Sequence, residues 1–105
     1  MASGRLGAVD LSANTYWSVY TVPALKMAAL SVSVCCRSVT GTLVRLALAS
    51  TGTPTAAEWI EYDTALTVNQ VLERSGLVLD AGKILVAYSS SANVNVVVYG
   101  TEETA

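Results

Sequence analysis

The carboxylates of this sequence are its clearest candidates for chemistry. Glu61 and Asp63 lie two positions apart, so on a β-strand their side chains would share one face. Two further carboxylates, Glu58 and Glu73, could approach that face. Paired carboxylates are the acid and base of most glycoside hydrolases, and carboxylates also bind metal ions. A carboxylate site is therefore the one enzymatic candidate of this chain.

The same carboxylates have a structural interpretation. Placed opposite Arg45 or Arg74, Glu61 and Asp63 would form cross-strand ion pairs, each worth about 0.2–1 kcal/mol. A hydrolase would also need a substrate cleft, which a compact chain of 105 residues rarely provides. We therefore expect ion pairs and no enzyme, with metal binding and catalysis left as open alternatives.

Other catalytic and cofactor motifs are missing from the sequence. It contains no histidine, which excludes Ser-His-Asp and Cys-His arrangements. The only lysines, Lys26 and Lys83, are not placed beside a serine by any motif, and the glycines form no phosphate-binding loop. Cys35 and Cys36 are neighbours, so on a strand they point to opposite faces and are poorly placed to bond each other. We expect no catalytic residue, metal or cofactor.

The aromatic residues favour binding over catalysis. On a strand, Trp59 would alternate with Ile60 and Tyr62, and the sequence does not reveal which side faces inward. Trp59 is thus either a core residue or an interface anchor, and Trp17 leaves the same choice. Such rings also form platforms for carbohydrates. The candidate interface residues of the chain are Trp17, Tyr20, Arg45, Trp59, Glu61, Asp63 and Arg74.

The composition is poor in charge and rich in apolar residues. Hydrophobic residues make up 52% of the chain and charged residues only 13%, against about 25% charged in a typical soluble domain. A small domain keeps a large share of its surface exposed, so it cannot enclose this much apolar surface by itself. We therefore expect the protein to associate with its own copies or with a partner scaffold.

Charge and hydropathy also limit the class of partner. The net charge is −2 and the six basic residues are scattered, whereas nucleic-acid binding uses a clustered basic face. The longest apolar run, Met27–Cys36, is about half the length of a membrane-spanning helix. The opening residues lack the apolar core of a signal peptide. We expect no nucleic acid, no membrane, and synthesis in the cytoplasm.

Alternation of side-chain character predicts β-strands. Leu30, Val32 and Val34 would face one way, with the serines between them facing the other. Thr42–Ala49 repeats this alternation, and the short segment Ser38–Gly41 between the two runs predicts a hairpin. Further strands are predicted at Leu6–Leu11, Trp17–Val22, Trp59–Thr64, Val71–Leu79, Ile84–Ser89 and Val94–Gly100.

About eight short strands separated by turn residues predict an all-β fold, an antiparallel β-sandwich of jelly-roll or Ig-like type. Thr55–Glu58 has capping-box form, so at most one helical turn is expected there. Val68–Ser75 also keeps helical spacing, but Gly76 and the apolar residues after it favour a strand. We expect a single domain over residues 1–105, with residues 1–13 as an arm or edge strand and residues 101–105 as a flexible tail.

Several segments together resemble small structural proteins of tailed bacteriophages. Tyr16–Pro23 is similar to a leucine-tyrosine-threonine-valine-proline opening in those proteins, which also precedes an alternating strand. Thr53–Thr64 is similar to a second segment, and so is Val71–Leu79 with the glycine turn and two closing strands after it. The likeness covers about residues 14–103. Cys35–Arg37 departs from it, since a polar residue such as asparagine is expected there.

This resemblance implies a virion protein, a β-sandwich that forms homo-oligomers and brings no active-site residues with it. The first expectation is a capsid decoration or cement protein, which stabilises the head shell by binding the major capsid protein. A trimer is slightly favoured, because it suits the three-fold positions of a capsid. The alternatives are a tail, baseplate, neck or fibre adaptor, or a carbohydrate- or receptor-binding module.

Overall fold

The computed structural model describes residues 3–104, which form eight strands and no helix. The strands are β1 Ser3–Leu11, β2 Trp17–Thr21, β3 Lys26–Cys36, β4 Thr42–Ala49, β5 Trp59–Leu66, β6 Val71–Leu79, β7 Ile84–Ser89 and β8 Val94–Thr104. Sheet A has the order β1-β8-β3-β6, and sheet B has the order β2-β7-β4-β5. All pairings are antiparallel, which confirms the predicted antiparallel β-sandwich. Over these residues, no helix is long and apolar enough to cross a membrane.

The core lies between the two sheets and follows the alternation seen in the sequence. Leu30, Val32 and Val34 of β3 are at most 2% exposed, while the serines between them are half-buried. β8 contributes a matching row of buried valines, and Val44 and Leu46 of β4 face them from sheet B. Valine suits this position, because its branched side chain packs well on a pleated surface.

The predicted hairpin between β3 and β4 is wrong. β3 lies in sheet A between β8 and β6, whereas β4 lies in sheet B between β7 and β5. The intervening turn therefore carries the chain across the sandwich instead of back along the same sheet. A short polar turn with Gly41 in the left-handed region (φ +78°) serves either purpose, so turn residues could not decide the sheet.

Both chain ends differ from the expectation of loose segments. Thr101–Thr104 extends β8 and pairs with the start of β3, down to Lys26 opposite Thr104, so the predicted flexible tail is wrong over these residues. At the other end, β1 starts at Ser3 and forms an edge strand of sheet A. Residues 1, 2 and 105, which belong to the predicted arm and tail, lie outside the described residues.

A hydrogen bond between the sheets holds the end of β8 in place. The Tyr20 hydroxyl of β2 donates to Glu102 Oε2 of β8. Tyr20 is 8% exposed, so the predicted interface role of Tyr20 is not supported by its position. Burial and this hydrogen bond raise the pKa of Tyr20 above its ordinary value.

We expect Tyr20→Phe to lower the free energy of unfolding by about 1–2 kcal/mol, because the buried phenol donates to a charged acceptor. A raised pKa in the folded state stabilises the protein below the unfolded value of about 10, and that contribution is lost as pH rises through the folded pKa. Urea titrations at pH 7 and above pH 10 test this. Wild type should lose stability at high pH more steeply than Tyr20→Phe, and parallel losses would contradict the assignment.

Two local predictions are settled by backbone geometry. At Thr55–Glu58 there is a single turn and no helix: the Glu58 amide donates to the Thr55 carbonyl (3.1 Å) and Glu58 Oε1 accepts from the Thr55 amide (2.9 Å). The hydrogen bonds that the Glu58 carboxylate accepts from the amides of Thr55 and Ser50 lower the pKa of Glu58. The segment after Val71 is a strand, as predicted, and Gly76 (φ +72°) lies where its pairing with β3 is interrupted.

Candidate functional site

The outer face of sheet B carries four aromatic rings around one guanidinium group. We call Tyr16, Trp59, Tyr62, Tyr88 and Arg45 the aromatic platform. The ring centroid of Tyr16 lies 5.8 Å from that of Trp59 and 5.2 Å from that of Tyr88. Trp59 and Tyr62 meet edge to face at 5.2 Å. These separations are those of favourable aromatic contacts, so the rings support one another.

Arg45 lies at the centre of the aromatic platform. It stands on β4 directly opposite Tyr88 of β7, and its Cζ is 4.6 Å from the Tyr88 ring centroid. The same carbon is 4.3 Å from the Tyr62 centroid, and Nη1 donates to the Tyr16 hydroxyl at 3.0 Å. A cation between two ring faces is attracted by both. Arg45 therefore fixes the positions of the surrounding rings.

Asp63 holds the guanidinium from the remaining side. Arg45 Nε donates to Asp63 Oδ1 at 2.6 Å, and Nη2 donates to Oδ2 at 3.4 Å. Such a two-point contact is stronger and more directional than a single hydrogen bond. The Asp63 carboxylate raises the pKa of Arg45 further above its ordinary value. Charge at the platform is thus neutralised internally.

An irregularity in β5 places Asp63 here and separates it from Glu61. Val44 pairs with Thr64 and Leu46 with Glu61, so β5 has one residue more than β4 over this stretch. Asp63 takes a left-handed conformation (φ +52°) at this bulge. The prediction that Glu61 and Asp63 share a strand face is therefore wrong.

Glu61 points between the sheets instead. Its side chain is 8% exposed, Thr64 Oγ1 donates to Oε1 at 2.7 Å, and Oε2 contacts Arg74 of β6. The ion pair joins the edge strands β5 and β6 of the two sheets. Both carboxylates thus pair with an arginine, but only Asp63 and Arg45 form the expected cross-strand pair, because Glu61 and Arg74 belong to different sheets. Within residues 3–104, no three Cys, Asp or Glu side chains come together as metal ligands.

Of the seven candidates from the sequence, three meet at the aromatic platform: Arg45, Trp59 and Asp63. Trp59 lies on the outer face, half-buried over a small apolar cluster formed with Ala47 and Val86, which are fully buried. Trp17 instead packs against the main core. The sequence left open whether each tryptophan is a core or a surface residue. The structure places Trp17 against the core and Trp59 on the outer face of sheet B.

Three platform members were missed as candidates: Tyr16, Tyr62 and Tyr88. Tyr88 alternates with buried Ala87 and Ser89 on β7, so its outward direction is visible in the sequence. Its meeting with Arg45 depends on the register of β4 and β7, which no local pattern reveals. Tyr16 lies just before β2 and reaches the platform only because β2 pairs with β7.

The described surface includes concave regions beside the platform and at one end of the sandwich. Ala56, Trp59 and Tyr62 line a shallow, open cavity of about 370 Å³ beside the platform. A larger open groove of about 610 Å³ lies between the loops at one end of the sandwich, around Gly41 and Thr67. The described residues that line the larger groove are apolar or carry hydroxyl groups.

The geometry of the aromatic platform suits binding to another surface. Its rings are large, held by a rigid sheet, and partly exposed, with Tyr62 56% and Tyr16 38% accessible. Its cation, Arg45, and the adjacent carboxylate, Asp63, bind each other. Comparisons of the chain with protein-family models, with curated proteins and with solved structures find no match.

Proposed function

We propose that this protein is a non-enzymatic structural component of a tailed-phage particle. In this role it associates with its own copies and with the major capsid protein or another virion protein. The aromatic platform is the observation that carries the proposal. Tyrosine, tryptophan and arginine are enriched among the residues that dominate the binding energy of protein interfaces. Tyrosine and tryptophan bury large areas at a low cost in side-chain entropy.

The remaining apolar surface supports association. Over residues 3–104, nine large hydrophobic side chains stay exposed: Tyr16, Leu25, Val39, Leu43, Tyr62, Val68, Val71, Val78 and Tyr99. The charged residues that would normally solvate such a surface make up only 13% of the chain. Contacts with neighbouring subunits would remove these side chains from water, which is favourable roughly in proportion to the apolar area covered.

The first role that we propose is capsid decoration. The likeness of segments such as Tyr16–Pro23 to phage structural proteins supports a virion location, and the sandwich offers several faces for contacts to neighbours. Many copies, each with modest contacts, would together stabilise a shell. The second role is that of an adaptor in the tail, baseplate, neck or fibre.

Imaging of purified phage particles that carry this gene tests the location. Density for the sandwich on the icosahedral lattice would support the decoration role, and density confined to the tail or one vertex would support the adaptor role. Particles that lack the protein altogether would contradict both.

Tyr62→Ala tests the platform as the binding surface. We expect it to weaken binding to the particle or partner about tenfold, the usual effect of losing one aromatic anchor. Stability should change by only about 0.5–1 kcal/mol, because the ring is largely exposed and its contacts are those with Arg45 and Trp59 at the surface. Tyr99→Ala is the matched control, a 40% exposed tyrosine on sheet A. Equal binding losses in co-sedimentation with particles would contradict the assignment.

Carbohydrate or receptor binding is a second candidate. The shallow cavity at Trp59 and Tyr62 favours it, because sugar rings stack on exposed aromatic faces and Asp63 lies close by as a hydrogen-bond acceptor. Glycan-array screening of wild type and Trp59→Ala tests this role. Binding that disappears in the variant would support it, and no binding by wild type would contradict it.

A further inference from the structure

β1 is an edge strand whose second side has no partner among the described residues. It pairs only with β8, and from Gly7 to Leu11 this pairing is regular. A free, regular edge presents backbone donors and acceptors that another strand can pair with. This makes β1 the edge of the sandwich best suited to strand addition.

The other three edges are less suited to pairing. β5 is interrupted by two irregularities and by the left-handed Asp63. β2 has five residues, an irregularity of its own, and Pro23 shortly after its end. β6 is interrupted near Gly76, and its Arg74 already reaches across to Glu61. Bulges and short strands of this kind are how proteins discourage edge pairing. β1 has one bulge too, at Leu6, but its pairing is regular from Gly7 to Leu11.

The irregularity in β1 sets which side chains share a face. Arg5 pairs with Tyr99 and Gly7 with Val98, so Leu6 is an extra residue in the strand. With Leu6 set aside, Arg5, Ala8 and Asp10 alternate to the outer face of sheet A. Counted in pairs with β8, Arg5 lies as far before Ala8 as Asp10 lies after it.

This spacing is self-complementary. With Leu6 again as the extra residue, an antiparallel pair of identical strands centred on Ala8 places Ala8 opposite its own copy and Arg5 opposite Asp10 twice. Residues directly opposite each other in an antiparallel pair point to the same face, so the opposite charges would meet on the outer face. Arg5 makes no ion pair with any described residue. Asp10 uses Oδ1 for Arg37 (2.6 Å) and is 67% exposed, which leaves Oδ2 for the partner's arginine.

We propose that two copies of this chain associate through β1, antiparallel and centred on Ala8, to extend sheet A into one eight-stranded sheet. The pairing of identical edges is two-fold, so it produces a dimer and not the trimer expected from the sequence. The inference rests on the proposed function only in that both involve self-association. The aromatic platform lies on sheet B and stays free for a different partner.

Disulfide cross-linking tests directly whether Ala8 lies opposite its own copy. Opposed residues of an antiparallel pair have Cα atoms about 4.5–5.5 Å apart, which a disulfide can span. We expect Ala8→Cys, in a Cys35→Ser background that removes the half-buried native thiol, to form a covalent dimer under mild oxidation at micromolar concentration. Ala65→Cys in the same background, exposed on the free edge of β5, is the control and should stay monomeric. Equal rates for both variants, or a product larger than a dimer, would overturn the proposal.

Charge reversal tests the predicted ion pairs separately. Arg5→Glu added to Ala8→Cys should slow cross-linking about fivefold, as expected for the loss of exposed ion pairs at a two-fold axis. Lys26→Glu changes the net charge equally but lies on β3, and it should have an effect below about twofold. If the two substitutions slow the reaction equally, the register is wrong. Particles that carry the protein despite failed cross-linking would leave the proposed function intact.

Discussion

Gly100→Ala is expected to lower the free energy of unfolding by about 3 kcal/mol or more, which combines backbone strain and overpacking. Gly100 takes a positive φ of +151° on β8. A Cβ added there would collide with the Ala29 carbonyl oxygen and approach Leu30 Cα to 3.0 Å. β8 is held between β1 and β3 on either side, so the strand has little freedom to move away.

Gly76→Ala is the matched control for this prediction. Gly76 also has a positive φ (+72°), but a Cβ there would meet no atom within 4 Å. Its substitution should therefore cost about 1 kcal/mol of conformational strain alone. Urea unfolding of both variants measures the difference. A loss in Gly100→Ala no greater than that in Gly76→Ala would show that β8 is not packed as tightly as described.

Arg74→Met is expected to lower the free energy of unfolding by about 2–3 kcal/mol. The substitution keeps the aliphatic part of the side chain but leaves the Glu61 carboxylate, 8% exposed, without its cation. Removing one partner of a buried ion pair costs about 3–5 kcal/mol, and the half-exposed position of Arg74 reduces this figure. The destabilisation comes from the contact between β5 and β6, which this ion pair joins.

Two variants separate this effect from a general loss of charge. Arg37→Met breaks the exposed ion pair with Asp10 and should cost less than about 1 kcal/mol. Glu61→Gln combined with Arg74→Met should recover part of the loss, because the buried charge is then absent. Equal destabilisation by Arg74→Met and Arg37→Met in denaturant titrations would argue that Glu61 is well solvated.

The sequence predicted those features of the fold that depend on local alternation. Leu30, Val32 and Val34 face the core because successive strand residues point to opposite sides, and this holds whichever strands lie beside β3. The hairpin between β3 and β4 was wrong because the same turn residues serve a crossing between sheets. The flexible tail was wrong because the pairing of Thr101–Thr104 depends on Lys26 and its neighbours, far away in sequence.

The candidate site was predictable only in part, for a related reason. Arg45 and Asp63 were correctly proposed as an ion pair, since opposite charges on adjacent strands attract. The bulge that turns Asp63 outward and Glu61 inward leaves no sequence pattern strong enough to detect. Tyr16 and Tyr88 join Arg45 through strand pairing between distant segments, which alternation alone does not specify.

The central claim is that this protein associates with its own copies and does not remain a single sandwich in solution. Sedimentation equilibrium at micromolar concentrations tests that claim most directly. We predict a species heavier than the 10.9 kDa chain, with a mass that rises toward the dimer as concentration increases. A single 10.9 kDa species over the whole concentration range would contradict it.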